Sequence, residues 1–209
     1  MTGLTVGFDL DMTLVDSRPG IEATFRELSA RTGVPIDARL AVSRLGPPLE
    51  WEISHWYPAE QVPGAASRYR SLYPSHAITP SPALPGAAEA FQAVRAAGGR
   101  IVVVTAKMTE LARLHLDHLH LTADEVHGWA WADGKATVLR TTGASVFVGD
   151  HVADMAAART AGVSAVGVRT GPCSAAELIE AGAHVVLDDL RGFPAWLARI
   201  QLGPRVPGD

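Results

Sequence analysis

Leu4-Thr5-Val6-Gly7-Phe8-Asp9-Leu10-Asp11-Met12-Thr13 is a short apolar run that ends in two carboxylates. The run lacks strict polar–apolar alternation, as expected of a parallel strand covered on both faces. In an open parallel sheet, ligands bind beyond the carboxyl ends of the strands. The residues directly after the run therefore matter most. Asp9 and Asp11 stand two apart, and with strand-like spacing they project to one side. Two carboxylates placed together repel each other unless a cation joins them.

Working outward, similar runs recur at residues 101–104, 145–148, 165–168 and 184–187. Helical patterns lie between them. Residues 87–97 carry Ala87, Phe91 and Val94 on one face, and residues 152–161 are Ala-rich and stopped by Gly162. Ser174 and Glu177 form a capping box for a helix through Ala181, with Gly182 ending it. This alternation predicts an α/β fold with a doubly wound parallel sheet.

From about Ser17 to Ala77 the rhythm breaks, and no buried strand is evident. Ile21, Phe25 and Leu28 make one helical stripe, and Tyr69, Leu72 and Tyr73 mark the end of another. Residues 77–86 contain Pro80, Pro82 and Pro85 and read as a stiff linker. The expected division is a core of residues 1–16 and 84–209 and a small helical domain of residues 17–83. Both connections of that insert start where the first strand ends, so it should sit over that edge. Trp51, Trp56, Tyr69 and Tyr73 are expected in its core.

The other strand ends add complementary chemistry. Thr105 follows the second run, Gly149-Asp150 follows the third with Asp154 four residues on, and Lys135 precedes the third. Three carboxylates without His or Cys suit a hard divalent ion that keeps waters, which favours Mg2+ over Zn2+. Such an ion also offsets the charge of a phosphate. A hydroxyl from Thr105 and a point charge from Lys135 suit phosphoryl oxygens.

The chain has 209 residues, 47% apolar and 19% charged, with a net charge of −4. These values fit a globular enzyme and give no sign of a nucleic-acid-binding surface. The single cysteine, Cys173, allows no intrachain disulfide, which fits a reducing cytoplasm. No basic region followed by a long apolar stretch opens the sequence, and no run approaches a membrane span. A cytoplasmic protein, monomer or homodimer, is expected.

Taken together, these residues resemble the haloacid dehalogenase superfamily, in particular its phosphoglycolate phosphatase-like hydrolases with a helical cap. Asp9-Leu10-Asp11-Met12-Thr13-Leu14-Val15-Asp16-Ser17 resembles the first motif, Thr105 the second, Lys135 the third and Gly149-Asp150-His151-Val152-Ala153-Asp154 the fourth. Leu84-Pro85-Gly86 resembles the return from cap to core. Met12 stands where the family usually has Gly, and His151 where it has a small residue. Lys135 lacks the usual Lys-Pro context, and Lys107 is the fallback.

The resemblance implies a Mg2+-dependent phosphatase acting on a small phosphorylated metabolite. Asp9 would be the nucleophile and Asp11 the acid–base residue. Asp9, Asp11 through its carbonyl, and Asp150 would hold the metal, with Asp154 holding its waters or orienting neighbours. Thr105 and Lys135 would hold the phosphoryl group, with Thr13, Ala106 and Arg44 also expected at the substrate and Thr13 steadying Asp11 or its loop. Arg18, Arg70 and His76 are further candidates for a second anionic group. Alternatives of the same fold are a phosphomutase or phosphotransferase, then a haloacid dehalogenase or a non-catalytic regulatory protein. Asp11 argues against a dehalogenase, which needs no proton donor for its leaving group.

Overall fold

The apolar runs pair as parallel strands, and their order places the first one in the centre. The computed structural model describes residues 3–201. The strands are β1 (Thr5–Phe8), β2 (Arg100–Val104), β3 (Glu125–His127), β4 (Val146–Gly149), β5 (Ser164–Val168) and β6 (Val185–Leu187). They form one sheet in the order β3-β2-β1-β4-β5-β6, and every neighbouring pair is parallel. The chain leaves β1 for β2 on one side and later enters β4 on the other. Beyond the ends of β1 and β4 the strand order reverses, and a crevice opens there.

Both faces of the sheet are covered, as the unbroken apolar runs require. On one face, Val6, Phe8, Val103 and Val148 join the core built with α5 (Ala87–Ala96) and α10 (Phe193–Gln201). Phe8 meets the rings of Phe91 and Phe193 at 5.3 and 5.4 Å between centroids. On the other face, Val102, Val104 and Phe147 pack with Leu139, Met155 and Leu178. Those three come from α7 (Asp133–Thr141), α8 (Val152–Ala161) and α9 (Ala175–Ala181). The helix α6 (Thr109–His118) adds Ala112 and Leu116 to the first face.

Residues between β1 and α5 form α1 (Arg18–Thr32), α2 (Ala38–Ser43), α3 (Leu49–Ile53) and α4 (Val62–His76). They contain no named strand, as the sequence predicts. Phe25 and Tyr69 hold α1 to α4 with ring centroids 4.6 Å apart, and Leu28 and Tyr73 complete their own apolar cluster. The two connections lie side by side. Asp16 N donates to Pro82 O and Leu84 N to Leu14 O, both at 2.9 Å. The insert thus leaves and rejoins the sheet at one point, directly above the end of β1.

Three features differ from the sequence reading. The edge strand β3, only Glu-Val-His and half-buried, was not anticipated. Lys135, expected in a connection, stands in the first turn of α7. Trp51 is 44% exposed and lies outside the core of the insert, because α3 turns that position to solvent. Among the described residues no helix is long and apolar enough to cross a membrane.

Candidate active site

Asp9 follows β1, Thr105 follows β2 and Asp150 follows β4, so adjacent strands deliver all three to the crevice. Lys135 arrives from α7 and is 1% exposed. Its Nζ lies 3.0 Å from Asp9 Oδ1 and donates to Asp154 Oδ1 at 2.6 Å. Burial works against the charge of Lys135, but the Asp154 and Asp9 carboxylates overcome it and raise its pKa. Lys135 therefore stays a cation, while Lys107 occupies a separate position at Asp11.

Carboxylate oxygens of Asp9, Asp150 and Asp154 all lie within 4.8 Å of one another, and all three residues are buried. Lys135 offsets only one of these charges. Burial, together with Asp154 and Asp11, pushes Asp9 up to about 7 despite Lys135. Burial, with Asp154 and Asp9, holds Asp150 well above the carboxylate range. The set is short of positive charge, and its oxygen-only donors suit a hard divalent cation. Asp154 is the least free of the three. Its Oδ1 holds Lys135, and its Oδ2 accepts from His151 N at 3.1 Å, capping α8.

Two neighbours fix Asp150. Thr13, expected at the substrate, is fully buried, and its hydroxyl donates to Asp150 Oδ1 at 2.8 Å. It does not line the cavity and serves the carboxylate instead. On the other side Gly171 presses close, and a Cβ there would stand 1.8 Å from Asp150 Oδ2. Thr170 donates to Met12 O at 2.5 Å, so the loop after β5 also braces the Asp9–Met12 turn. Sequence reading missed both residues. The only signal was another polar strand end, Thr170-Gly171-Pro172, after an apolar run.

Asp11 sits apart from that cluster. Lys107 Nζ lies 2.9 Å from Asp11 Oδ1 as an ion pair, off the hydrogen-bonding direction. Burial favours the proton on Asp11, yet Lys107, the Ser17 hydroxyl and His115 together outweigh it and the pKa is lowered. Lys107 also donates to the Tyr73 hydroxyl at 2.8 Å, which shares a 2.9 Å hydrogen bond with His115 Nε2. His115 is fully buried, and burial lowers its pKa to about 4, so it is neutral. A chain of contacts thus ties Asp11 to α4 of the insert and α6 of the core.

Met12, the departure from the expected Gly, has φ +60°. That left-handed backbone explains why Gly suits the position, and a side chain there costs about 1 kcal/mol or more. A cavity of about 100 Å³ lies between these groups and the insert. Asp9, Asp11, Thr105, Ala106, Lys107, Lys135 and Asp150 line it, with Arg44 and Arg70 from the insert. Arg18 pairs with Asp16 at 2.7 Å instead, and neither Arg18 nor His76 lines the cavity.

A family profile described as haloacid dehalogenase-like hydrolase matches residues 6–159. A phosphoglycolate phosphatase of Caulobacter vibrioides is 30% identical over 200 aligned positions, 82% of this chain and 81% of the relative. A tyrosine-protein kinase, PtkA, of Mycobacterium tuberculosis is 31% identical over 178 positions, 78% of this chain and 61% of the relative. A haloacid dehalogenase-like family hydrolase from Streptococcus pneumoniae superposes with a TM-score of 0.81 at 25% identity. That match covers 94% of this chain and all of the other.

Proposed function

Because this chain belongs to the haloacid dehalogenase-like hydrolases, we propose that it hydrolyses a small-molecule phosphate monoester through a phosphorylated Asp9, with Mg2+ as cofactor. One observation carries the reading. Two carboxylates two residues apart are given different environments, Asp9 among Asp150, Asp154 and Lys135, and Asp11 beside Lys107 and away from the other carboxylates. Such a split gives the two carboxylates different roles, and a divalent cation on Asp9 would hold it in the anionic form that a nucleophile needs.

Asp9 attacks phosphorus, and the bond from phosphorus to the leaving alcohol breaks. Asp11 gives the alcohol its proton. A substrate dianion beside Asp11 raises its proton affinity, which offsets the pull of Lys107. Asp11 then takes a proton from water, the water oxygen attacks phosphorus, and phosphate leaves Asp9 free. Lys135 and the Thr105 hydroxyl hold equatorial phosphoryl oxygens, and the main chain at Ala106 completes that cradle. Mg2+, held by Asp9, Asp150 and the Asp11 carbonyl, would neutralise charge on the phosphoryl group. Asp154 orients Lys135 rather than binding the ion directly. Residues 17–83 act as a cap that excludes water from the intermediate. The setting we infer is the cytoplasm.

The Mycobacterium relative named a kinase favours one second reading, transfer of the phosphoryl group to an acceptor hydroxyl. A single assay addresses both: phosphate release from an aryl phosphate, with and without Mg2+, in wild type and Asp9→Asn. Release that needs both Mg2+ and Asp9 supports the phosphatase. Equal release by the two proteins refutes Asp9 as nucleophile. Release that falls as an alcohol is added, with the alcohol phosphorylated, supports transfer.

A further inference from the structure

The helices α1, α3, α4 and α6 give the cavity an apolar share of its lining: Ile21 and Phe25 from α1, Leu49 from α3, the Tyr69 ring from α4, and Leu111 from α6. Met12 joins that wall at the cost of a left-handed backbone.

The cations on the cavity are four, and each already has a carboxylate partner. Lys135 holds Asp9 and Asp154, and Lys107 holds Asp11. Arg44 forks onto Glu52, its Nε donating to Oε2 at 2.9 Å and its Nη2 to Oε1 at 2.5 Å. Glu52 is itself 7% exposed and also accepts from Trp56 Nε1 at 2.9 Å, so the pair is fixed from both sides. Arg70 pairs with Glu50 at 2.8 Å and lies 4.4 Å over the Trp129 ring.

A substrate carboxylate or second phosphate would therefore meet no cation free of a carboxylate. Taking Arg44 from Glu52 would strip a buried carboxylate of its countercharge, which is costly, while Arg70 belongs to a more exposed pair, with Glu50 44% exposed. An uncharged hydrocarbon or aromatic leaving group loses nothing and buries apolar surface. We infer that the substrate is a phosphate monoester of an uncharged, largely apolar alcohol, selected by the apolar wall and by the neutralised Arg44–Glu52 pair. This choice rests on the phosphatase reading, and it differs from the carboxylated substrate that the name of the Caulobacter relative implies for that protein.

The test compares matched substrates with the full chain and Mg2+. Propyl phosphate is set against phosphoglycolate, and phenyl phosphate against 4-carboxyphenyl phosphate. In each pair the uncharged member should have at least about tenfold higher kcat/KM, the effect of about 1.4 kcal/mol of lost stabilisation. Glu52→Gln keeps an acceptor for Trp56 but releases Arg44, and it should narrow the ratio in both pairs by several-fold. The wild-type ratio alone decides the matter if that variant does not fold. A carboxylated member that is equal or preferred in wild type overturns the inference while leaving the phosphatase intact. No phosphate from any of the four substrates overturns the phosphatase reading and the inference with it.

Discussion

Metal-free protein should lose stability as the pH rises through neutrality, and Mg2+ should abolish that loss. Asp9 has an ordinary pKa of 3.8 and is pushed up to about 7 in the fold, chiefly by burial and then by neighbouring carboxylates. The folded chain therefore binds this proton more tightly than the unfolded one. The contribution to stability is complete below about pH 4 and is lost as the pH climbs through 7. A gap of about three pH units converts, at about 1.36 kcal/mol each, to about 4 kcal/mol. Asp150 shifts in the same direction, whereas the lowered pKa of Asp11 works the other way. For a chain of this size, about 4 kcal/mol corresponds to about 8–16 °C in Tm. The assay is thermal and urea unfolding from pH 5 to 8, in EDTA and in excess Mg2+, with Asp9→Asn as the reference that lacks the titrating group. The difference between wild type and Asp9→Asn in EDTA should fall steeply with pH, and the stabilisation by Mg2+ should grow over the same interval. A wild-type advantage in EDTA that rises with pH, or a Mg2+ effect that does not change with pH, would refute the electrostatic account of this site.

Lys135→Met should lower kcat by about a hundredfold or more and destabilise the metal-free protein by about 3–5 kcal/mol, because it leaves buried carboxylates uncompensated; urea unfolding and steady-state rates check both. Gly171→Ala places a methyl where Asp150 Oδ2 now lies, so activity should need about tenfold more Mg2+ while the circular dichroism spectrum stays that of wild type. Tyr73→Phe removes the hydroxyl that holds Lys107 beside Asp11. Its rate on an alkyl phosphate, which needs a proton donor, should drop by about tenfold, against threefold or less on 4-nitrophenyl phosphate. An equal drop on both substrates would reduce Tyr73 to a structural role.

Much of this arrangement was legible because β1, β2, β4 and β5 are unbroken apolar runs, and such runs are strands wherever both faces are covered. Asp9, Thr105 and Asp150 were found simply as the residues that end them. The helix around Phe91 followed from spacing, and that through Val152–Ala161 from its alanines and its glycine stop. The edge strand β3 was hidden because Glu125 and His127 satisfy each other's side chains and leave no apolar signal. Lys135 could be placed only by its position in a motif, since its burial depends on Asp9, 126 residues earlier in the chain. Nothing local to Thr13 shows that its hydroxyl meets Asp150, the carboxylate at the end of the neighbouring strand, rather than Asp11 or the substrate. Gly171 and the Lys107–Tyr73–His115 chain exist only once the loops and the insert are folded together. The pairing of Arg44 with Glu52 likewise changes a candidate anion-binding residue into part of a neutral wall.

The central claim is that Asp9 carries the phosphoryl group between two chemical steps. Asp11→Asn keeps Asp9 and its neighbours but cannot take a proton from water, so an aryl phosphate with a good leaving group should phosphorylate this variant and leave it trapped. Acid quenching, digestion and mass spectrometry should then find one phosphoryl group on the peptide that contains Asp9, and hydroxylamine should remove it. Turnover without any such peptide, or a phosphoryl group on another residue, would contradict the account.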